Sequence, residues 1–160
     1  MGFQSFLLIG LLGGAAVFAV ATAYGRPQRP GRRVALALLC FWVVGVVYFT
    51  FGTPSGGGRA LNLKPLDVTH TDDLVDAALN VLMFVPGGLL LSAFSVRRYQ
   101  AALWGFTGSF AIEATQYLTE SGRSADVNDL CANTVGALIG CAGVALVVDR
   151  MGPARSRTGT

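Results

Sequence analysis

Charge is scarce in this chain. Only 13% of its 160 residues are Asp, Glu, Lys or Arg, while 52% are hydrophobic; the mean hydropathy is +0.55. A soluble domain carries about 25% charged residues, so a surface this poor in charge excludes an ordinary soluble domain. Histidine occurs once, at His70, and cysteine three times, at Cys40, Cys131 and Cys141. No Cys/His spacing suggests zinc, and each cysteine sits in an apolar segment, where it reads as small hydrophobic filler. A basic stripe interleaved with aromatics is also missing, so the net charge of +3 is no sign of a nucleic-acid partner. Nor does any nucleophile stand beside a base: Ser124 lies near acids without a histidine.

What the chain has instead is long apolar runs, at about 5–24, 34–52, 72–94, 101–118 and 129–148. Each approaches the ~20 residues that cross a hydrocarbon core. The pattern predicts an all-α integral membrane protein. It would be a bundle of about five transmembrane helices over residues 1–148, with a disordered polar tail over 149–160. The third run is the least regular, because it holds Pro86-Gly87-Gly88. Five helices do not divide into two matched halves, which speaks against a transporter built from repeats.

The arginines set an expected orientation. Arg26, Arg29, Arg32 and Arg33 follow the first run, Arg97 and Arg98 the third, and Arg150, Arg155 and Arg157 the fifth; only Arg59, Lys64 and Arg123 fall in the other connections. Positive residues stay in the cytoplasm, so the N-terminus is expected outside and the C-terminus inside. Ala21-Thr22-Ala23 resembles a signal-peptide cleavage site. Met1 to Ser5 carries no basic residue, however, and four arginines follow, as expected of a retained anchor.

Against this background the acids stand out. At membrane depth an ionisable side chain is expensive unless it is paired or faces a wet cavity, which makes Glu113 a candidate site residue. Gln116 lies three positions on, on the same helix face. Asp76 and Asn80 are four apart where the third run begins, and Asp126, Asp129 and Asn133 make a ladder at spacings of three and four into the fifth. With a rise of ~1.5 Å per residue, Asn80, Glu113 and Asn133 fall within roughly 10 Å of the outer ends of their helices. They are expected to converge on one outward-facing pocket. Gly136-x-x-x-Gly140 offers a smooth face for close helix approach. Thr71 reads as the N-cap of the third helix, with Asp72 and Asp73 in its first turn. His70 could join Asp72 or Asp76 around a metal or as a base. Interhelical glue is the plainer role for such residues, with Asn80 against Asn133 and Arg123 against Asp126 or Asp129.

The ordered set Asn80-x-x-x-Phe84-x-Pro86-x-Gly88, Glu113-x-x-Gln116 and Arg123-x-x-Asp126-x-x-Asp129-x-x-x-Asn133-x-x-Gly136-x-x-x-Gly140 resembles the VanZ-like family of bacterial membrane proteins. The resemblance implies a small polytopic protein of the bacterial cytoplasmic membrane. The family is named for an accessory protein that gives low-level resistance to the glycopeptide teicoplanin. It carries over Glu113, Gln116, Arg123, Asp126, Asp129 and Asn133 as site residues. Some relatives have histidine where this chain has Asn80, and an amide cannot serve as a general base.

Two classes of function follow. In the first, the outward pocket binds a lipid-linked cell-wall precursor, a glycan or a glycopeptide-related ligand, with Asp76, Asn80, Gln116, Arg123 and Asn133 as binding residues. In the second, Glu113 is a general acid or base, Asp126 or Asp129 is its partner and Arg123 holds an anionic head group. Carboxylates near Asp129 could instead hold a divalent cation on a diphosphate lipid. Beyond the lipid bilayer no cofactor, resident metal or nucleic-acid partner is called for. Proton passage through Glu113 is disfavoured by the small helix number.

Overall fold

The computed structural model describes residues 2–23, 30–52, 61–119 and 124–151. Among the described residues five helices carry the fold: α1 (Phe3–Ala23), α2 (Pro30–Phe51), α3 (Thr71–Ser92), α4 (Arg98–Thr119) and α5 (Val127–Met151). Two two-residue strands, β1 (Leu61–Asn62) and β2 (Ala125–Asp126), lie in the connections. Of these, four helices among the described residues, α1, α2, α3 and α5, are long and apolar enough to cross a membrane. The 22-residue α4 is as long as its neighbours but more polar, because Arg98, Gln100, Glu113 and Gln116 all lie within it. Large apolar side chains such as Leu11, Leu12, Leu103, Trp104 and Leu118 stand exposed on the helix exteriors. An apolar exterior of this kind suits lipid rather than water.

Helix ends follow from local chemistry. Pro30 opens α2 where its missing N–H is no loss. The extra turn brings Arg32 to the far end of α3, where the guanidinium donates to the Ala93 carbonyl at 3.2 Å and to Ser95 Oγ at 3.3 Å; a cation suits a helix C-terminus. Ser95, at φ 62°, turns the chain toward α4. There the Gln100 side chain reaches back to accept the Arg97 N–H at 2.8 Å, half of a capping box. Thr71 is not the cap of α3 but its first residue; His70 holds the cap position and its side chain makes no capping bond. The acids Asp72 and Asp73 do occupy the first turn. At the other end of the chain, α5 continues to Met151, into the span expected to be tail. The rest of that tail, 152–160, lies outside the described residues, as do Arg26, Arg29, Arg59 and Arg123.

Helix α5 is the centre of the packing, with α3 and α4 each laid against it and touching one another little. Close approach depends on missing side chains. A Cβ on Gly136 or Gly140 would collide with the Val81 or Val85 carbonyl oxygen of α3, and one on Gly88 with the Ala137 carbonyl oxygen of α5. The expected smooth face of α5 therefore meets the α3 backbone directly. On α4 the buried residues Ala101, Gly105, Ser109, Glu113 and Gln116 recur at four- and three-residue spacing, which makes one stripe facing inward. Pro86 sits inside α3 without ending it. One turn earlier the Trp42 indole donates to the Met83 carbonyl at 2.8 Å, while its ring meets Phe84 edge-on at 5.5 Å. Helix α1 packs on α2 through Phe6 and Tyr48, whose rings stack at 4.7 Å.

Candidate functional site

The end of the bundle where α3 and α5 begin and α4 finishes holds a cleft of about 1350 Å³. Since α3 and α4 barely touch, the cleft opens between them with α5 as its floor, and the 62–70 segment contributes to its rim. Asp76 and Asn80 of α3, Glu113 and Gln116 of α4, and Asp126, Asp129 and Asn133 all line it. Seven of the eight residues singled out from the sequence thus meet at one cavity. The eighth, Arg123, lies outside the described residues.

Their pairings differ from those expected. Asn80 does not face Asn133; its Nδ2 donates to Asp129 Oδ1 at 2.6 Å and ties α3 to α5. Asn133, 2% exposed, donates through Nδ2 to Ser109 Oγ on α4 at 2.9 Å, and Ser109 is fully buried. Glu113 and Asp126 are joined, but not carboxyl to carboxyl. Glu113 Oε2 accepts the backbone N–H of Asp126 at 2.8 Å. The one acid of α4, itself buried, therefore anchors the short strand that leads into α5.

The roof of the site is a strand pairing between two connections. β1 pairs with β2 in parallel, Leu61 opposite Ala125 and Asn62 opposite Asp126. The Asn62 amide donates to Asp126 Oδ2 at 2.8 Å. Asp126 Oδ1 accepts the backbone N–H of Asn128 at 2.8 Å and its side-chain amide at 2.9 Å. The same amide also donates to the Lys64 carbonyl at 2.9 Å. Asp126 thus binds the α2–α3 connection to the start of α5. Asn62 and Asn128 carry no signal in their local sequence, because the partner of Asn62 is 64 positions away. Ser109 was findable: it sits one turn before Glu113 on the same face of α4.

His70 pairs with neither Asp72 nor Asp76. Its Nδ1 lies 2.9 Å from Asp67 Oδ2, an ion pair when the imidazole is protonated. Asp67 Oδ1 accepts the Thr69 hydroxyl at 2.6 Å and the Thr69 N–H at 2.9 Å. These donors, the hydroxyl first and His70 last, hold the Asp67 carboxyl below its usual range. The group closes a turn ahead of α3. Among the described residues no set of three or more His, Cys, Asp or Glu is arranged to hold a metal ion.

The cleft has two chemistries side by side. Carboxylates and amides line one part, and Leu79, Leu82, Met83 and Ile112 line another; Leu79 and Leu82 are more than half exposed on the outside of α3. The apolar wall is therefore continuous with the exterior of the bundle. A sequence model of the VanZ/LLP1 family matches residues 34–148, from early α2 almost to the end of α5. The chain belongs to the VanZ/LLP1 family. The match takes in every residue of the cleft and leaves α1 outside. Among curated proteins and among solved structures, nothing matches the chain. Family membership and the apolar helices together make this a multi-pass membrane protein of VanZ/LLP1 type.

Proposed function

We propose that this VanZ/LLP1 chain is a cell-envelope protein of the bacterial cytoplasmic membrane whose cleft faces outward and binds a lipid-linked or glycan-bearing envelope component. Binding there would modulate susceptibility to glycopeptides such as teicoplanin. All five helices cross the bilayer in this reading, α4 with its polar stripe turned to α5, and the arginine-rich ends face the cytoplasm. The observation that carries the proposal is the union of a polar lining with an apolar wall that reaches the bundle exterior. A molecule with one end in lipid and a hydrogen-bonding head group has a place for each part.

The competing reading is an acid–base enzyme built on Glu113, Asp126 and Asp129. Proton transfer needs a carboxyl aimed at the reacting group. Here Glu113 is engaged with a backbone N–H and Asp126 with two asparagines, which favours recognition over chemistry. The test is the susceptibility of a Gram-positive host to teicoplanin and vancomycin with and without the protein, at verified membrane levels. Protection selective for teicoplanin is the expected result; no change for either drug would detach the chain from a glycopeptide role. Cysteine labelling at position 29 checks the orientation, since reaction from outside would invert it.

A further inference from the structure

Hydrogen-bonding capacity left open in the cleft marks where a ligand is held. Asn133 lines the floor at 2% exposure, and its Nδ2 is spent on Ser109 Oγ of α4. Its side-chain oxygen Oδ1 is buried and has no hydrogen-bond partner among the described residues. Gln116 lines the same cleft at 4% exposure, and its side-chain amide makes no hydrogen bond among the described residues. An unmet buried polar group costs free energy, and the large majority of such groups in folded proteins have a partner. Two of them, on adjacent helices at one cavity, point to a molecule that supplies the partners.

The types of open group restrict the head group. Asn133 Oδ1 only accepts, so the group that reaches it must donate; a fully ionised phosphate or a carboxylate has no proton for it. The Gln116 amide both donates and accepts. An ammonium serves its oxygen but offers no acceptor to its N–H groups, whereas a hydroxyl donates one proton and accepts on two lone pairs. One hydroxyl is not enough, however. Asn133 is tied to Ser109, and Gln116 lies seven residues farther along the same buried stripe of α4, roughly 10 Å at ~1.5 Å per residue. Hydroxyls must therefore be spread along the head group, as they are on a sugar.

We infer that the cleft receives the sugar head group of a long-chain amphiphile, one hydroxyl donating to Asn133 Oδ1 at the floor and others bonded to the Gln116 amide nearer the end of α4. The alkyl chain passes along Leu79, Leu82 and Met83 to the bundle exterior. This rests on the cleft being the ligand site proposed above, and names the head group and the two side chains that read it.

The experiment uses the full-length protein in phosphatidylcholine nanodiscs with four photoreactive alkyl probes of equal chain length. They end in a glucosyl group, a carboxamide, a primary amine and a phosphate monoester. Expected is saturable crosslinking by the glucoside, mapping to the helices around the cleft and competed by the unlabelled glucoside, with weaker labelling by the other three. Gln116→Met keeps the length of the side chain and gives up no bond to the described residues. Its thermal unfolding should match wild type while glucoside labelling weakens by about tenfold, on the scale of one hydrogen bond to a buried group. Asn133→Leu should weaken glucoside labelling as well, with unfolding followed in parallel because the Ser109 bond goes with it. Strongest labelling by the carboxamide, amine or phosphate, or equal labelling by all four, overturns the sugar inference while the ligand-site reading stands. Glucoside labelling as strong in Gln116→Met as in wild type overturns the inferred recognition. No saturable labelling by any probe overturns both.

Discussion

Asn80 of α3 and Asp129 of α5 are 49 positions apart in sequence and 2.6 Å apart in space. Their hydrogen bond crosses the contact in which Gly136 and Gly140 bring α5 onto the α3 backbone. Polar recognition and close packing are therefore built on the same pair of helices. A residue that disturbs the packing would also move the cleft.

Removing the donor tests that link. Asn80→Leu should lower stability by about 0.6 to 2 kcal/mol, the range measured for interhelical hydrogen bonds in membranes. Asn80→Asp should cost more, because it sets two carboxylates against each other. Asn80→His keeps an N–H donor and should fall nearest to wild type. Thermal unfolding in detergent ranks the three; an Asn80→Leu protein as stable as wild type would show that the bond contributes nothing.

The glycines give a steric prediction. In Gly136→Ala or Gly140→Ala the new Cβ would run into the carbonyl oxygen of Val81 or Val85, and overpacking of this kind costs about 1–3 kcal/mol. Gly143→Ala, where nothing lies within 4 Å of the new atom, is the matched control and should unfold like wild type. Equal stability of all three variants would contradict the close packing of α3 and α5.

Glu113 separates recognition from chemistry. Its bond to the Asp126 N–H needs only an acceptor, and the amide oxygen of Gln provides one. Glu113→Gln should keep that hydrogen bond and with it the seat of the short strand that leads into α5. Glu113→Ala leaves that N–H open and should cost about 1–3 kcal/mol. If Gln proves as damaging as Ala while the protein remains folded, the charge or the proton of Glu113 matters beyond this bond, and the recognition reading of the hydrogen bond alone is contradicted.

The Asp67 turn predicts a pH dependence. Because its donors lower the carboxyl pKa, the turn adds stability above the unfolded value of ~3.9. It loses that contribution as pH falls through the lower folded value. Carboxyl NMR of selectively labelled Asp should give Asp67 a midpoint below the usual aspartate value, moving upward in Thr69→Val, which removes the hydroxyl donor. An unchanged midpoint in that variant would contradict the assigned cause.

Sequence patterning revealed the five apolar helices and the convergence of polar residues at one end, because hydropathy and helical periodicity are local properties. Asp76, Asn80, Glu113, Gln116, Asp126, Asp129 and Asn133 do share a cleft. The partnerships within it were not legible. Whether Asn133 meets Asn80 or Ser109 depends on the rotation of α4 about its axis, which Gly105 against Ala137 helps to set. The parallel pairing of Leu61–Asn62 with Ala125–Asp126 joins two connections too short to show strand alternation. Thr71 looked like a cap because its residue type suits one, yet the helix begins one residue earlier in register, behind the Asp67 turn.

The central claim, that the cleft is where this VanZ/LLP1 protein acts on the envelope, is tested most directly by two neutralised acids four residues apart on α3. Asp76 lines the cleft and Asp72 does not, while both are exposed. Teicoplanin susceptibility would be measured in a Gram-positive host expressing wild type, Asp72→Asn or Asp76→Asn at matched membrane levels. The account predicts protection by wild type and Asp72→Asn and its loss in Asp76→Asn. Equal protection by all three, or none from wild type, would contradict it.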